Sequence, residues 1–289
     1  MDLGIVPQLI LNSVIAGAIY MMVALGFNLI FGTVKFFDLG YGALTTVGGY
    51  AVFFFYKKLS LNLPLSIFLG VLVAGSIGYL VNLFVYKNLR ARKASNMVLI
   101  VAALGVLTVL QAIVAMLFTS QFQTLSIGNA SKVYELGGAV ITQVQLIILI
   151  SGLSIAVLLS IVMKKTLFGK AISAIADDEE VSKIVGINTG KIIGAVFFIG
   201  SMIAGLAGIL VGFDTGIEPT MGMGLLLKGV IASIIGGIGN IYGGVLGAFL
   251  LGFVENFGIW KISGEWKDAI AFGILIMMLL IRPQGLLPR

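Results

Sequence analysis

Few residues in this sequence offer a start for chemistry: its 289 residues include no histidine, no cysteine and only twelve carboxylates. Without imidazole or thiolate there is no Cys/His zinc site, no cysteine nucleophile and no side chain whose ordinary pKa suits acid–base work at neutral pH. Nor do the carboxylates pair as an acid–base couple would require. Asp38, Asp214, Glu218 and Glu255 stand apart, at or near the ends of apolar stretches, where an ion-coupled carrier would want titratable groups but an enzyme would want them clustered. Gly186-Ile187-Asn188-Thr189-Gly190-Lys191 resembles a phosphate loop only superficially. Three residues lie between its glycines, not four, and Ile192 replaces the Ser or Thr that would meet magnesium. The Gly237/Gly239/Gly243 run lacks the spacing, preceding strand and ribose-binding acid of a dinucleotide fold. The expectation is a protein that is not an enzyme and holds no cofactor and no metal.

What remains is backbone chemistry in an apolar setting. Asn28-Leu29-Ile30-Phe31-Gly32 runs through Lys35 into Asp38, Gly40, Tyr41, Gly42 and Gly48-Gly49 with almost no polar interval. Further on, Gly236-Gly237-Ile238-Gly239-Asn240 leads through Tyr242 to Gly243-Gly244. Non-helical backbone at membrane depth survives only inside protein or along a cavity, because lipid cannot satisfy its N–H and C=O groups. Gly-interrupted apolar segments in the two halves of a transporter point to the substrate route. Asn28, Gly32, Asp38, Gly40, Tyr41, Gly42, Gly236, Gly237, Gly239 and Asn240 are therefore the translocation-path candidates; close packing of small residues is the competing explanation. That packing is expected for the stripes Gly70/Ala74/Gly78 and Ala204/Gly208/Gly212, which recur every fourth residue.

The elements that must position these residues are membrane helices. A hydrophobic fraction of 59%, a mean hydropathy of +1.14 and charged residues at only 10% describe an all-α, polytopic membrane protein, not a soluble domain. The apolar pattern predicts eight to nine spans, including Gly-broken helices, near 7–31, 39–56, 64–86, 97–118, 143–163, 192–213, 225–238, 243–260 and 268–281. The expected organisation is one transmembrane domain over 1–289, with an external loop at 119–142 and a polar insert at 164–191. The net charge of +6 would suggest nucleic acid in a soluble protein, but in a membrane chain it belongs to the lysines and arginines of cytoplasmic loops. With alternating spans, twelve Lys/Arg fall on one side and Lys57, Lys58, Lys132, Lys228, Lys261 and Lys267 on the other. This places the N-terminus outside and the C-terminus inside the plasma membrane, and requires 225–238 to cross although about 14 residues at ~1.5 Å each is short for a ~30 Å hydrocarbon layer.

Lys164–Lys191 carries five lysines and four acids and must lie in water. Leu167, Ala171, Ala174 and Ile175 mark one face of a first short helix. Asp177 or Asp178 can cap a second, with Glu179 and Glu180 in its first turn, Val181, Ile184 and Val185 on its apolar face and Gly186 at its stop. Apolar faces without a core of their own need either a partner protein or the membrane and helix ends to cover them.

Gly169-Lys170-Ala171, Ala174, Asp177 and Gly186-Ile187-Asn188 in this insert resemble the cytoplasmic coupling loop of permease subunits of ABC importers of the branched-chain amino-acid type. Asn28–Gly32, Asp38–Gly42, Leu227-Lys228-Gly229 through Gly236–Asn240 to Glu255, and Arg282-Pro283-Gln284-Gly285-Leu286 match the family's remaining motifs, so the resemblance covers nearly the whole chain. Where the family commonly has an Asn followed by Ala-His-Gly, this chain has Asp38, Gly40, Tyr41 and Gly42, and Ser173 replaces a frequent Arg. The resemblance implies a bacterial or archaeal inner-membrane permease with a homologous second permease chain, two cytoplasmic ATPase subunits and an extracytoplasmic substrate-binding protein as partners, and with no nucleic acid. Gly169, Lys170, Ala174, Asp177, Asp178, Val181, Ile184 and Gly186 would form the ATPase-coupling surface, and the cargo would be a branched-chain or other small apolar amino acid. The alternative is an ion-gradient carrier or channel for a small polar solute such as urea or an amide.

Overall fold

A computed structural model describes residues 5–125, 132–260 and 262–287. The chain is built of α1 (Val6–Val34), α2 (Gly40–Phe53), α3 (Leu63–Val81), α4 (Lys87–Ala91), α5 (Asn96–Phe118), α6 (Gln143–Lys165), α7 (Leu167–Asp177), α8 (Glu179–Ile184), α9 (Thr189–Asp214), α10 (Met221–Gly236), α11 (Ile241–Gly258) and α12 (Lys267–Ile281). π-helical turns extend α2 through Phe54–Lys58 and join α3 to α4 through Asn82–Tyr86. Among the described residues six helical runs, Leu63–Ala91 counted as one, are long and apolar enough to cross a membrane, and α10 is a shorter apolar helix. At 16 residues it spans about 24 Å, short of a ~30 Å core. It starts at Met221, four residues before the expected boundary, and runs unbroken to Gly236.

The loop at 119–142, expected to be external, has structure within its described residues. Val133–Leu136 (β1) and Ala139–Thr142 (β2) form an antiparallel hairpin, with Val133 opposite Thr142. The Gln8 side chain both accepts from Val140 N (2.7 Å) and donates to Val140 O (3.1 Å), fastening the hairpin to the start of α1. Thr142 then opens α6 with a capping box to Gln145.

α1 is the central element: it packs against α6, α9, α10 and α11, and from Tyr20 to Ile30 every residue is buried. Around it, α2, α3 and α9 pack closely because small residues face one another. A Cβ on Gly48 would overlap the Gly205 backbone, one on Gly205 would meet Ala74, and one on Gly208 would overlap the Thr45 carbonyl. Both predicted small-residue stripes thus serve helix contact. The expected break at Asp38–Gly49 is correspondingly corrected. Asn28–Gly32 and Gly40–Gly49 are helical, the interruption is confined to 35–39, and Gly42, Gly48 and Gly49 are packing positions. Gly208→Ala is expected to lower stability by about 3 kcal/mol through overpacking. Gly105→Ala, on a helix position with open space around it, should raise it by up to about 1 kcal/mol through helix propensity. Thermal unfolding of the two detergent-purified variants checks both signs.

Candidate functional site

Three features take up the chemistry-bearing residues, and the first is the break between α10 and α11. Gly237 (φ 117°) and Gly239 (φ 79°) adopt left-handed backbone closed to other residues, and Asn240 caps α11 by accepting from Tyr242 N (2.9 Å) and Gly243 N (3.3 Å). Asn28 reaches across from α1, accepting from Gly239 N (3.0 Å) and donating to Asn240 O (3.2 Å). Gly32 leaves room for α1 to approach the Gly239 backbone. The C-terminal tail completes the arrangement: Leu286 N and Leu287 N donate to Ile235 O and Gly236 O, both at 2.9 Å, and Asn240 Nδ2 donates to Leu287 O. The carbonyls left open at the end of α10 are thereby paired inside protein, as a break at membrane depth requires.

Asn28→Leu removes both bridging bonds and strands the Gly239 N–H, while Asn240 O keeps its bond from Gly244 N (2.9 Å). We expect a loss of roughly 1–3 kcal/mol, whereas Asn28→Asp, which keeps the acceptor for Gly239 N–H, should lose less. Chemical unfolding in detergent measures the difference.

Asp38, Gly40, Tyr41 and Gly42 lie elsewhere. Asp38 is 2% exposed and accepts from Tyr86 OH at 2.5 Å. Burial pushes its carboxyl up to about 6, against the Tyr86 hydroxyl and the N–H groups of Gly40 and Tyr41, which draw it down. Tyr41 OH donates to Val23 O (3.2 Å), and Gly42 packs on Gly222 of α10. These residues seat the start of α2 among α1, α10 and the Asn82–Tyr86 turn and do not join the Asn28–Gly239 group.

The second feature is the polar insert. Thr166 caps α7 by accepting from Gly169 N (3.1 Å). Gly169 lies against the Val162 and Met163 carbonyls, with no space for a Cβ, so α7 folds back tightly under α6. Asp178, one of the two expected caps, accepts from Glu180 N (2.8 Å) and Val181 N (3.0 Å), and Gly186 (φ 88°) ends α8. Asn188 caps α9 through Lys191 N, so the phosphate-loop-like stretch is a helix-to-helix turn.

The buried face of α7 differs from the expected one. Gly169, Ile172, Ile175 and Ala176 point inward while Leu167 is 84% exposed, because the Thr166 cap places Leu167 in the outward first turn. Ile172 and Met163 share a cavity of about 20 Å³ with Asn28, Gly32, Gly239 and Ile241, so α7 abuts the helix break. On α8, Val181, Ile184 and Val185 are 53%, 83% and 69% exposed. Lys170, Asp177 and Asp178 are exposed and Ala174 half-buried.

An unforeseen clamp holds α8 in place: Glu179 forms ion pairs with Arg90 of α4 and with Lys183 (2.9 Å). Partial burial raises the Glu179 carboxyl, but Lys183 and Arg90 outweigh it and hold the group below its ordinary value. A depressed folded value means the clamp contributes at neutral pH and is lost as pH falls through that value. The protection of amides 178–186, taken relative to their intrinsic exchange rates at each pH, should therefore fall on acidification through the carboxylate range, and less so in Glu179→Gln.

Sequence reading also missed the third feature, a buried charge network. Glu255, 0% exposed, binds Lys228 and accepts from Tyr20 OH (2.6 Å); Lys228 also meets Asp268 (2.8 Å), and Lys267 lies 3.8 Å from Glu255. Lys228, counted on the outer side but within the expected span 225–238, lies inside α10 and pairs there with Glu255. Its place amid an apolar run, seven residues into that helix, was the available signal.

The order of these motifs along one helical chain has a match in known proteins. Residues 9–279 match the family described as branched-chain amino acid transport system / permease component. The chain belongs to this permease family. It is 30% identical to the high-affinity branched-chain amino acid transport permease protein BraD of Pseudomonas aeruginosa, over 98% of this chain and 95% of the relative. It is equally identical, over the same shares, to LivH of Escherichia coli, and 26% identical to a probable LivH of Methanocaldococcus jannaschii over 99% and 93%. In fold, the permease resembles a chain in the structure of PsaBC from Streptococcus pneumoniae in complex with Fab, with a TM-score of 0.52 at 12% identity, covering 98% of this chain and 94% of that one. As a family member, this permease is a multi-pass helical membrane protein.

Proposed function

We propose that this permease is the translocating subunit of an ABC importer, moving branched-chain or other small apolar amino acids across the plasma membrane. The carrying observation is α8. Val181, Ile184 and Val185 stand exposed on a helix that is capped at one end, stopped by glycine at the other and clamped by Arg90. An apolar face held rigid in water is suited to receive a partner. In this reading the partner is a pair of cytoplasmic ATPase subunits, the insert lies inside the cell and the N-terminus outside. A homologous second permease and an extracytoplasmic binding protein complete the assembly.

Force on α7 would pass through Ile172 and Met163 to Asn28 and the Gly236–Asn240 break, rocking α1 against α10 and α11 as access alternates. The Asn28/Gly32/Gly239/Asn240 cluster is then the hinge of the route, and Asp38–Gly42 brace α2 beside it. Purifying the tagged chain from its native membrane and identifying what accompanies it tests the assignment: ATPase and second-permease chains are expected, and a chain that purifies alone yet transports rejects it. The buried Glu255–Lys228 network is what favours the other reading, an ion-driven carrier. Uptake by the isolated chain in liposomes under an ion gradient would establish that reading instead.

A further inference from the structure

A cleft of about 510 Å³ opens between α4, the start of α5, α8 and the start of α9. Lys87, Arg90, Lys93 and Lys183 line it against two acids, Glu179 and Glu180, of which Glu179 is held by Arg90 and Lys183; Val34, Leu99 and Ile193 lie among its apolar lining, and Asn82 also faces it. Two observations indicate that it is built to hold something. Asn82 is 3% exposed, opens the π-helical turn, and its Oδ1 has no hydrogen-bond partner among the described residues. A buried acceptor left unpaired is costly unless a ligand supplies the donor. Arg90 is already engaged by Glu179, but Lys87 and Lys93 are exposed and form no ion pair among the described residues.

The cleft also meets the apolar belt. Phe84 (67% exposed) precedes Lys87 by less than one turn, and Met97 (70%) and Val101 (60%) stand outward on the first two turns of α5. α3 and α5 both pack on α2 but scarcely on each other, leaving an apolar flank beside the charged mouth. A basic pocket between membrane helices at the headgroup level suits a phosphodiester.

We propose that this cleft binds the headgroup of an anionic phospholipid that carries a free hydroxyl, of the phosphatidylglycerol type. The phosphate meets Lys87 and Lys93, the headgroup hydroxyl donates to Asn82 Oδ1, and the acyl chains run along the exposed faces of α3 and α5. A soluble phosphate would use the lysines but neither the amide nor the apolar flank. The inference rests on the membrane reading; because Glu179, Glu180 and Lys183 of α8 also line the cleft, the test uses the permease without ATPase subunits, so that the two readings fail separately.

The test is native mass spectrometry of the full chain released from mixed phosphatidylglycerol/phosphatidylcholine micelles. Retention of phosphatidylglycerol over phosphatidylcholine is expected. Lys87→Gln/Lys93→Gln should weaken it about thirtyfold, and Lys58→Gln should leave it unchanged. Asn82→Leu should abolish the preference for phosphatidylglycerol over phosphatidylmethanol, which keeps the phosphate but lacks the hydroxyls. Equal retention of the two phospholipid classes, no effect of the double lysine variant, or displacement of the lipid by millimolar inorganic phosphate would overturn the proposal.

Discussion

Val181→Asp/Ile184→Asp is expected to abolish co-purification of the ATPase subunits while leaving the thermal stability of the permease within about 0.5 kcal/mol of the parent. Both side chains are exposed, so the fold has little to lose from them. An interface that buries them has much to lose, because a carboxylate placed in an apolar contact without a partner costs several kcal/mol, two to three orders of magnitude in affinity. Val181→Ala/Ile184→Ala separates charge from shape: it should weaken association by roughly tenfold to a hundredfold, the usual range for truncated apolar anchors. Size-exclusion profiles and unfolding curves of the purified variants provide the stability side of the comparison.

Glu255→Ala should be the most damaging single change to the fold. Its carboxylate is fully buried and shared among Lys228, Lys267 and Tyr20, and removing one member of a buried pair leaves an uncompensated charge, at a cost of about 3–5 kcal/mol. Asp268 also contacts Lys228 but is 77% exposed on its side chain, so it offsets only part of the loss. Lys228→Met combined with Glu255→Gln removes both charges and keeps a polar group near Tyr20. The double variant should recover most of the stability, and the coupling from the full mutant cycle measures the pair. If transport of amino acids survives in the recovered protein, the network is structural; if it is lost while the fold is intact, the network serves the route.

The helices are largely legible in the sequence, for a physical reason. In lipid the apolar run itself sets where a helix can exist, and the expected spans at 97–118 and 143–163 coincide with α5 and α6 to within two residues. The insert was readable too, because Thr, Asp and Gly at helix ends have local causes: Asp178 capping α8 and Gly186 ending it depend on neighbours within four residues. What could not be read was anything set by distant partners. Glycine is ambiguous between a break and a close contact, and only the neighbouring helix decides. Gly237 takes a left-handed backbone whereas Gly48 packs on Gly205. The Asn28 bridge to Gly239 spans 211 positions in sequence, and the Arg90–Glu179 and Lys228–Glu255 pairs likewise join separate elements. The rotation of α7, with Ile172 inward and Leu167 outward, follows from how Gly169 fits under α6, which periodicity over 11 residues does not resolve.

The most direct measurement is uptake of labelled leucine into proteoliposomes containing this permease, its second permease, its binding protein and the ATPase subunits, with parent and Val181→Asp/Ile184→Asp chains compared. Uptake that requires ATP and disappears in the variant, while the variant remains folded in the bilayer, is the predicted result. Uptake that proceeds without the ATPase subunits, or that the variant supports undiminished, would contradict the account.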